Sequence, residues 1–224
     1  DRVAGHCQAG LFLEHAGERD AMILAEHAER GGDRARALVF FARAAEESLD
    51  RYDLDGALAR TERAIGCEPE GADLGRLRAV QSVARTWSNR WDVAYALGEQ
   101  ALELLPPGDA WWCRAIHDML IVAANLPTAE AMHRLAERVA AVDPARASPV
   151  PYARAVATLV MQLGILGDGV RSRRFLPAAQ RACEALAADS APAARAYLDV
   201  CRACQTLFVE PDPWLALQYA RQGS

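Results

Sequence analysis

The sequence predicts an all-α fold, built as a superhelical stack of antiparallel helical hairpins with about eleven helices. Helical periodicity of apolar residues runs through nearly every segment, and no stretch shows sustained two-residue alternation. Related strings return along the chain at a spacing in the thirties, which is typical of stacked helical hairpins. Abundant alanine and few aromatic residues also favour close packing of helix against helix.

In the first half of the chain, glycines mark the ends of predicted helices and acidic residues mark their starts. Gly17 ends the first helix, and the pair Gly31 and Gly32 ends the second. Asp33 is predicted to cap the third helix and Asp92 the sixth. The helices predicted in this half cover residues 3–15, 20–30, 33–51, 53–66, 72–89 and 91–105.

In the second half, the boundaries of the predicted helices are marked by prolines, glycines and one further acidic cap. Asp109 is predicted to cap the seventh helix, and a glycine turn at 167–169 separates the ninth from the tenth. The segment 144–151 carries three prolines and fits either a domain boundary or an ordinary loop. Pro211 and Pro213 fix a turn before a last helix. The predicted helices cover residues 110–125, 128–142, 152–166, 171–188 and 192–209, with a short helix from residue 214.

Small residues recur at fixed spacings within this pattern. Two alanines and a proline of the string 52–69 return in the string 89–106 at a constant offset of 37, from 57 to 94. Another small residue stands twelve positions before the first alanine of each string. On the third helix, Ala37 and Ala44 belong to one hairpin, and Ala45 stands twelve positions before Ala57 of the next. The third helix therefore serves two successive hairpins. The repeat positions are Ala25, Ala37 and Ala44, then Ala45, Ala57, Ala64 and Pro69, and then Ser82, Ala94, Ala101 and Pro106.

The spacing small-x6-small-x4-Pro behind an acidic turn resembles the tetratricopeptide repeat. Small side chains at these points let neighbouring helix backbones approach closely. The resemblance implies a single right-handed α-solenoid over 1–224, with recognisable repeats at 20–144 and degenerate hairpins at 145–224. The chain departs from the family pattern where Thr61 and Gly98 replace bulky residues, and where Met132 and Val139 occupy small positions.

The string 24–65 is more narrowly similar to the C-terminal repeat region of large bacterial signalling proteins. In those proteins a serine/threonine kinase domain, a nucleotide-binding switch ATPase domain, or both, precede the repeats. The first residues lack an initiator methionine, so we expect a fragment of such a protein. The chain has no lysine, which removes the phosphate-binding lysine of a P-loop and the catalytic lysine of a kinase. No nucleophile–base pair or metal-ligand pattern is visible either, so we expect a non-catalytic module without cofactor or metal.

Repeats of this kind bind partners along a concave groove lined by the first helix of each hairpin. The predicted partner is an acidic or extended segment, either of a separate protein or of another domain of the same protein. A sensor that binds a small effector and regulates an upstream kinase or ATPase is the alternative function. The repeat register predicts that the groove is lined by Arg76, Thr86, Arg114, His117 and Asn125.

The composition argues against nucleic-acid and membrane binding, and three short motifs have structural interpretations. A net charge of −5 gives no basic footprint for nucleic acid, and the sequence shows neither a membrane-length apolar run nor a signal peptide, so a cytoplasmic protein is expected. Cys201 and Cys204 are interpreted as packed, reduced thiols rather than as a zinc or redox site. Of Trp111 and Trp112, one is predicted to pack inside and the other to lie partly exposed. The arginines of 171–174 are interpreted as a solvated turn.

Overall fold

The computed structural model describes residues 1–187 together with single positions further on. Those positions are Ala196, Asp199, Arg202, Ala203, Thr206, Trp214, Gln218 and Arg221. All regular structure within 1–187 is helical, which confirms the predicted all-α class. The helices predicted over 192–209 and from residue 214 fall almost entirely outside the described residues, as does the pair Cys201 and Cys204.

Ten helices lie within the described residues, compared with about eleven predicted for the whole chain. The chain forms two compact units, Asp1–Leu104 and Leu105–Ser224. The helices of the first unit are α1 (Arg2–His15), α2 (Ala21–Arg30), α3 (Arg34–Asp50), α4 (Leu54–Ile65), α5 (Gly71–Trp87) and α6 (Trp91–Leu104). Those of the second are α7 (Ala110–Ala124), α8 (Glu130–Ala140), α9 (Pro149–Ile165) and α10 (Gly169–Ala187).

Two boundaries differ from the predicted ones for identifiable reasons. α9 begins three residues earlier than predicted, because Pro149 and Pro151 occupy its first turn. Proline is tolerated there, since the first N–H groups of a helix have no intrahelical acceptor. α5 ends at Trp87 rather than at Asn89, whose left-handed φ of 57° lies outside the helical range.

Acidic caps begin most helices of the first unit and α7 of the second. The Oδ1 atom of Asp33 accepts the N–H of Arg36 at 3.1 Å, and Asp109 accepts that of Trp112 at 2.6 Å, so both predicted caps are confirmed. Asp92 is not a cap, because α6 starts one residue before it. Its carboxylate lies instead in the first turn, where the helix dipole still favours a negative charge.

The first unit has its core between consecutive helices. α3 packs against both α2 and α4, as expected for a helix that belongs to two hairpins, and α5 packs against α6. Leu24, Phe41 and Leu77 are at most 2% exposed and form one apolar cluster with surrounding alanines. The repeat positions of the helices are all buried, whereas Pro69 is half-buried and Pro106 exposed after their helices end. The buried set is Ala25, Ala37, Ala44, Ala45, Ala57, Ala64, Ser82, Ala94 and Ala101.

A hydrogen bond spans the close approach of α5 and α6. The hydroxyl of Ser82 donates to the backbone oxygen of Ala94 at 2.7 Å. These are the two small residues that the sequence places twelve positions apart. A hydroxyl can reach the backbone of the facing helix only where the two helix axes run close together. The contact therefore gives the twelve-residue spacing a direct structural reason.

The second unit repeats this contact beyond the recognised repeats. α7 packs against α8 and α9, and α9 packs against α10. The hydroxyl of Ser172 on α10 donates to the backbone oxygen of Val160 on α9 at 2.9 Å, again twelve residues away. Ala179, seven residues after Ser172, is fully buried. Met132 and Val139 on α8 are also buried, so larger side chains fill the positions that alanine occupies elsewhere.

Candidate partner-binding site

One side of the second unit presents charged and aromatic side chains from two neighbouring helices. Arg114, Asp118 and Asn125 follow one another at intervals of four and seven residues, which places them along one side of α7. Arg154 belongs to α9, which packs beside α7. We call these residues, with Trp111, the α7–α9 face. Arg114, Asn125 and Arg154 are exposed, and Asp118 and Trp111 are half-buried.

A tryptophan supports the first arginine of the α7–α9 face. The guanidinium carbon of Arg114 lies 4.5 Å from the centroid of the Trp111 ring. This cation–π contact restrains the guanidinium while leaving its N–H groups available to a partner. The neighbouring Trp112 is only 3% exposed, so the prediction of one packed and one partly exposed tryptophan is confirmed.

His117 lies beneath the face and ties the two helices together. Its Nδ1 shares a hydrogen bond with the hydroxyl of Thr158 on α9 at 2.8 Å. Burial lowers the pKa of His117 to about 3, and the positive charge of Arg154 contributes in the same direction. The imidazole is therefore neutral at neutral pH. Its role is to hold α7 against α9.

Asp118 is the titrating group of the α7–α9 face. Burial raises its pKa to about 6, although the guanidinium groups of Arg154 and Arg114 favour the ionised form. Its Oδ1 lies 3.8 Å from Nε2 of His117, but a neutral imidazole gives no ion pair at this distance. At neutral pH the face thus combines two positive charges with one negative charge. Below pH 6 the negative charge is lost.

The other residues predicted to line the groove have different environments. Asn125 ends α7, and its side-chain amide donates to the backbone oxygen of Ile121 at 2.8 Å. Arg76 and Thr86 lie on α5 in the first unit, where the Arg76 guanidinium pairs with Glu46. Thr86 is 6% exposed, and its hydroxyl donates to the backbone oxygen of Ser82 at 2.9 Å. Thr86 and His117 therefore belong to the interior rather than to an exposed surface.

Sequence reasoning missed Asp118 and Arg154 for different reasons. Asp118 was within reach, since it follows Arg114 by four residues on a predicted helix. Arg154 gave no comparable signal, because its helix lies beyond the recognised repeats. Only the packing of α9 beside α7 brings Arg154 near Asp118.

Three further features were considered beside the α7–α9 face: the buried thiol of the same helix, possible metal ligands, and helices of membrane-spanning length. Burial raises the pKa of the Cys113 thiol to about 12, with a smaller contribution from Asp109, so this thiol stays protonated. In the part of the chain that the structure describes, no group of three or more His, Cys, Asp or Glu side chains is placed to hold a metal ion. Among the same residues, no helix is both long enough and apolar enough to cross a membrane.

Comparisons with known proteins give no family for this chain. A scan against models of protein families finds no match, and neither does a search of curated proteins.

Proposed function

We propose that this chain is a non-catalytic interaction and regulatory module that binds an acidic, extended protein segment on the α7–α9 face. The observation that carries this proposal is the position of Arg114, stacked on Trp111, beside a second exposed arginine, Arg154, on the adjacent helix. Both guanidinium groups act on the same carboxylate, Asp118. Both therefore lie in the neighbourhood of Asp118, on one face that an extended segment can cover.

The chemistry of the face favours carboxylates joined to a peptide backbone. A guanidinium presents paired N–H donors that match the two oxygens of a carboxylate. The exposed part of Trp111 offers an apolar surface to a side chain next to that carboxylate. The Asn125 side-chain oxygen remains available to accept a backbone N–H, because only its amide nitrogen bonds Ile121. Asp118 repels a second carboxylate placed directly above it and so restricts the spacing of acidic residues in the partner.

We further propose that the hairpins of each unit are tetratricopeptide-like. The contacts of Ser82 with Ala94 and of Ser172 with Val160 support this proposal, because both join positions twelve residues apart across a helix pair. The setting we propose is the cytoplasm of a bacterium, within a signalling protein whose kinase or ATPase domain this module regulates. It rests on the resemblance of the string 24–65 to such proteins.

Selection from a random peptide library on the full chain tests the binding proposal. We expect enrichment of acidic peptides, and about tenfold or greater loss of affinity for them in the variant Arg114→Ala/Arg154→Ala. Arg146→Ala is the matched control, because that arginine belongs to the same unit, is 89% exposed and lies outside the face. Enrichment of neutral or basic peptides would contradict the proposal. So would equal binding by the double variant, provided that its melting temperature is unchanged.

A sensor for a small effector is the second candidate function. The observation that favours it is a polar cleft of about 560 Å³ in the first unit. This volume lies within the range of about 300–1,000 Å³ that small-molecule sites occupy. In a sensor, effector binding in the cleft changes the affinity of the α7–α9 face for its partner.

A further inference from the structure

The cleft of the first unit lies between the start of α2, the second half of α3 and the middle of α4. Its lining is dominated by charged side chains, with Met22 and Ala44 as apolar contributions. Ser48 offers little donor capacity, because its hydroxyl donates to the backbone oxygen of Ala44 at 2.8 Å. The charged lining residues are Arg19, Asp20, Glu47, Arg51 and Arg60.

The carboxylates at the cleft are already engaged. The Oδ1 atom of Asp20 accepts the N–H groups of Met22 and Ile23 at 2.8 and 3.3 Å, as the cap of α2. Glu47 lies between two guanidinium groups, 3.4 Å from that of Arg43 and 3.8 Å from that of Arg51. Both carboxylates thus already have N–H donors of the protein as neighbours.

The guanidinium groups at the cleft are not balanced in the same way. Arg60 is held by Asp53 at 3.0 Å. Arg51 has only the 3.8 Å contact with Glu47, and its side chain is 76% exposed. Arg19 is exposed and forms no ion pair with any residue that the structure describes. The cleft therefore has two guanidinium groups with N–H donors to spare.

A half-buried arginine on α3 fixes the segment that carries Arg19. The Arg43 guanidinium donates to the backbone oxygen of Arg19 at 2.7 Å and also lies over the Phe40 ring, 5.5 Å from its centroid. This contact joins the loop before α2 to the body of α3. Arg43 is thus a positioning residue for the backbone that carries Arg19.

We propose that this cleft binds a small organic anion that carries a carboxylate or phosphate group, with Arg19 and Arg51 as its main contacts. Guanidinium groups suit both kinds of oxyanion, and a volume of about 560 Å³ holds a molecule larger than a bare ion. Met22 and Ala44 would contact its carbon skeleton. The proposal deepens the sensor function and rests on it only for its regulatory meaning, because no residue that lines the cleft belongs to the α7–α9 face.

Titration calorimetry on the full chain at low ionic strength tests the cleft directly. The probes are succinate, glycerol 3-phosphate and inorganic phosphate, so that the first two arms separate carboxylate from phosphate recognition. We expect at least one organic anion to bind more tightly than inorganic phosphate, and Arg19→Ala/Arg51→Ala to weaken it about tenfold. Arg30→Ala is the matched control, because Arg30 is a 60% exposed arginine at the opposite end of α2. It should change the affinity less than twofold.

Several results would overturn the site. These are no heat of binding with any of the three anions, unchanged affinity in the double variant, or equal weakening by Arg30→Ala, which would mean diffuse attraction to a charged surface. Binding of a glutamate-rich peptide with no binding of the small anions would also overturn it. Circular dichroism melting checks that both variants remain folded, which we expect because all three arginines are exposed. Anion binding that leaves the affinity for an acidic peptide unchanged would refute the sensor function while leaving the site intact.

Discussion

Replacing Asp118 by asparagine should stabilise the protein at neutral pH and have almost no effect at acidic pH. Burial raises the pKa of this carboxyl to about 6 in the folded chain, against 3.8 for the unconstrained group. The folded state therefore holds the proton more tightly than the unfolded state does. The resulting stability is fully present below pH 3.8 and is lost as the pH rises through 6.

The magnitude follows from the size of this shift. One pKa unit corresponds to about 1.4 kcal/mol, so a shift of about two units gives an upper limit near 3 kcal/mol. The Asp118 side chain retains 27% exposure, and asparagine gives up the attraction of both arginines. We therefore expect Asp118→Asn to raise the free energy of unfolding by about 1–2 kcal/mol at pH 7 and by less than about 0.5 kcal/mol at pH 4.

His117 has the opposite dependence and makes the test more specific. Its pKa is lowered to about 3 from 6.5, so its contribution is present above pH 6.5 and is lost as the pH falls toward 3. Between pH 4 and 6 the two contributions nearly cancel in the wild-type protein. Without the Asp118 carboxylate, stability should rise with pH across this window by up to about 1.4 kcal/mol per pH unit.

Urea unfolding at a series of pH values measures these slopes. Asp143→Asn is the matched control, because its side chain is 58% exposed in the same unit. It should change the free energy of unfolding by less than about 0.5 kcal/mol throughout. A difference between Asp118→Asn and wild type that is the same at pH 4 and pH 7 would refute the electrostatic account of the α7–α9 face.

Three further substitutions test the packing of the hairpins by urea unfolding. Ala57→Phe should cost about 1–3 kcal/mol because it forces a ring into a fully buried position, whereas Ala59→Phe on the exposed side of α4 should be nearly neutral; equal effects would mean that the register is wrong. Ser82→Ala should cost about 1 kcal/mol by removing the hydrogen bond between α5 and α6, and no loss would show that this bond contributes nothing to stability. Gly108→Ala should cost about 1–2 kcal/mol, because the φ of Gly108 is 86° and alanine disfavours this left-handed conformation. Gly5→Ala should stabilise the protein slightly, because Gly5 lies within α1 with open space around it. The reverse order would contradict the left-handed backbone conformation of Gly108.

Local signals predicted the helices because each signal acts over a few residues. Asp33 and Asp109 cap helices through backbone N–H groups three residues away, so sequence alone could place them. The early start of α9 was missed because prolines were interpreted as loop residues, although the first helical turn accepts them. The twelve-residue spacing could be recognised in the sequence where both positions carry a small residue. It failed at Val160 and Ser172, where a backbone oxygen faces the serine and the residue that carries it is large.

The candidate site depended more on tertiary packing than on any local pattern. The repeat register correctly placed Arg114 and His117 on the same helix, but it carried no information on depth. His117 is buried because Thr158 of α9 lies against it, and the repeat register recognised in the sequence does not extend to α9. The exposed arginine of that helix, Arg154, went unnoticed for the same reason.

Photo-crosslinking of an acidic peptide from the library selection tests the central proposal most directly. A peptide that carries a benzophenone group beside its acidic residue is irradiated with the full chain, and the modified segments are identified by mass spectrometry. Binding on the α7–α9 face predicts cross-links within 110–125 and 149–165, and their loss in Arg114→Ala/Arg154→Ala but not in Arg146→Ala. Cross-links confined to the first unit, or unchanged in the double variant, would contradict the proposal.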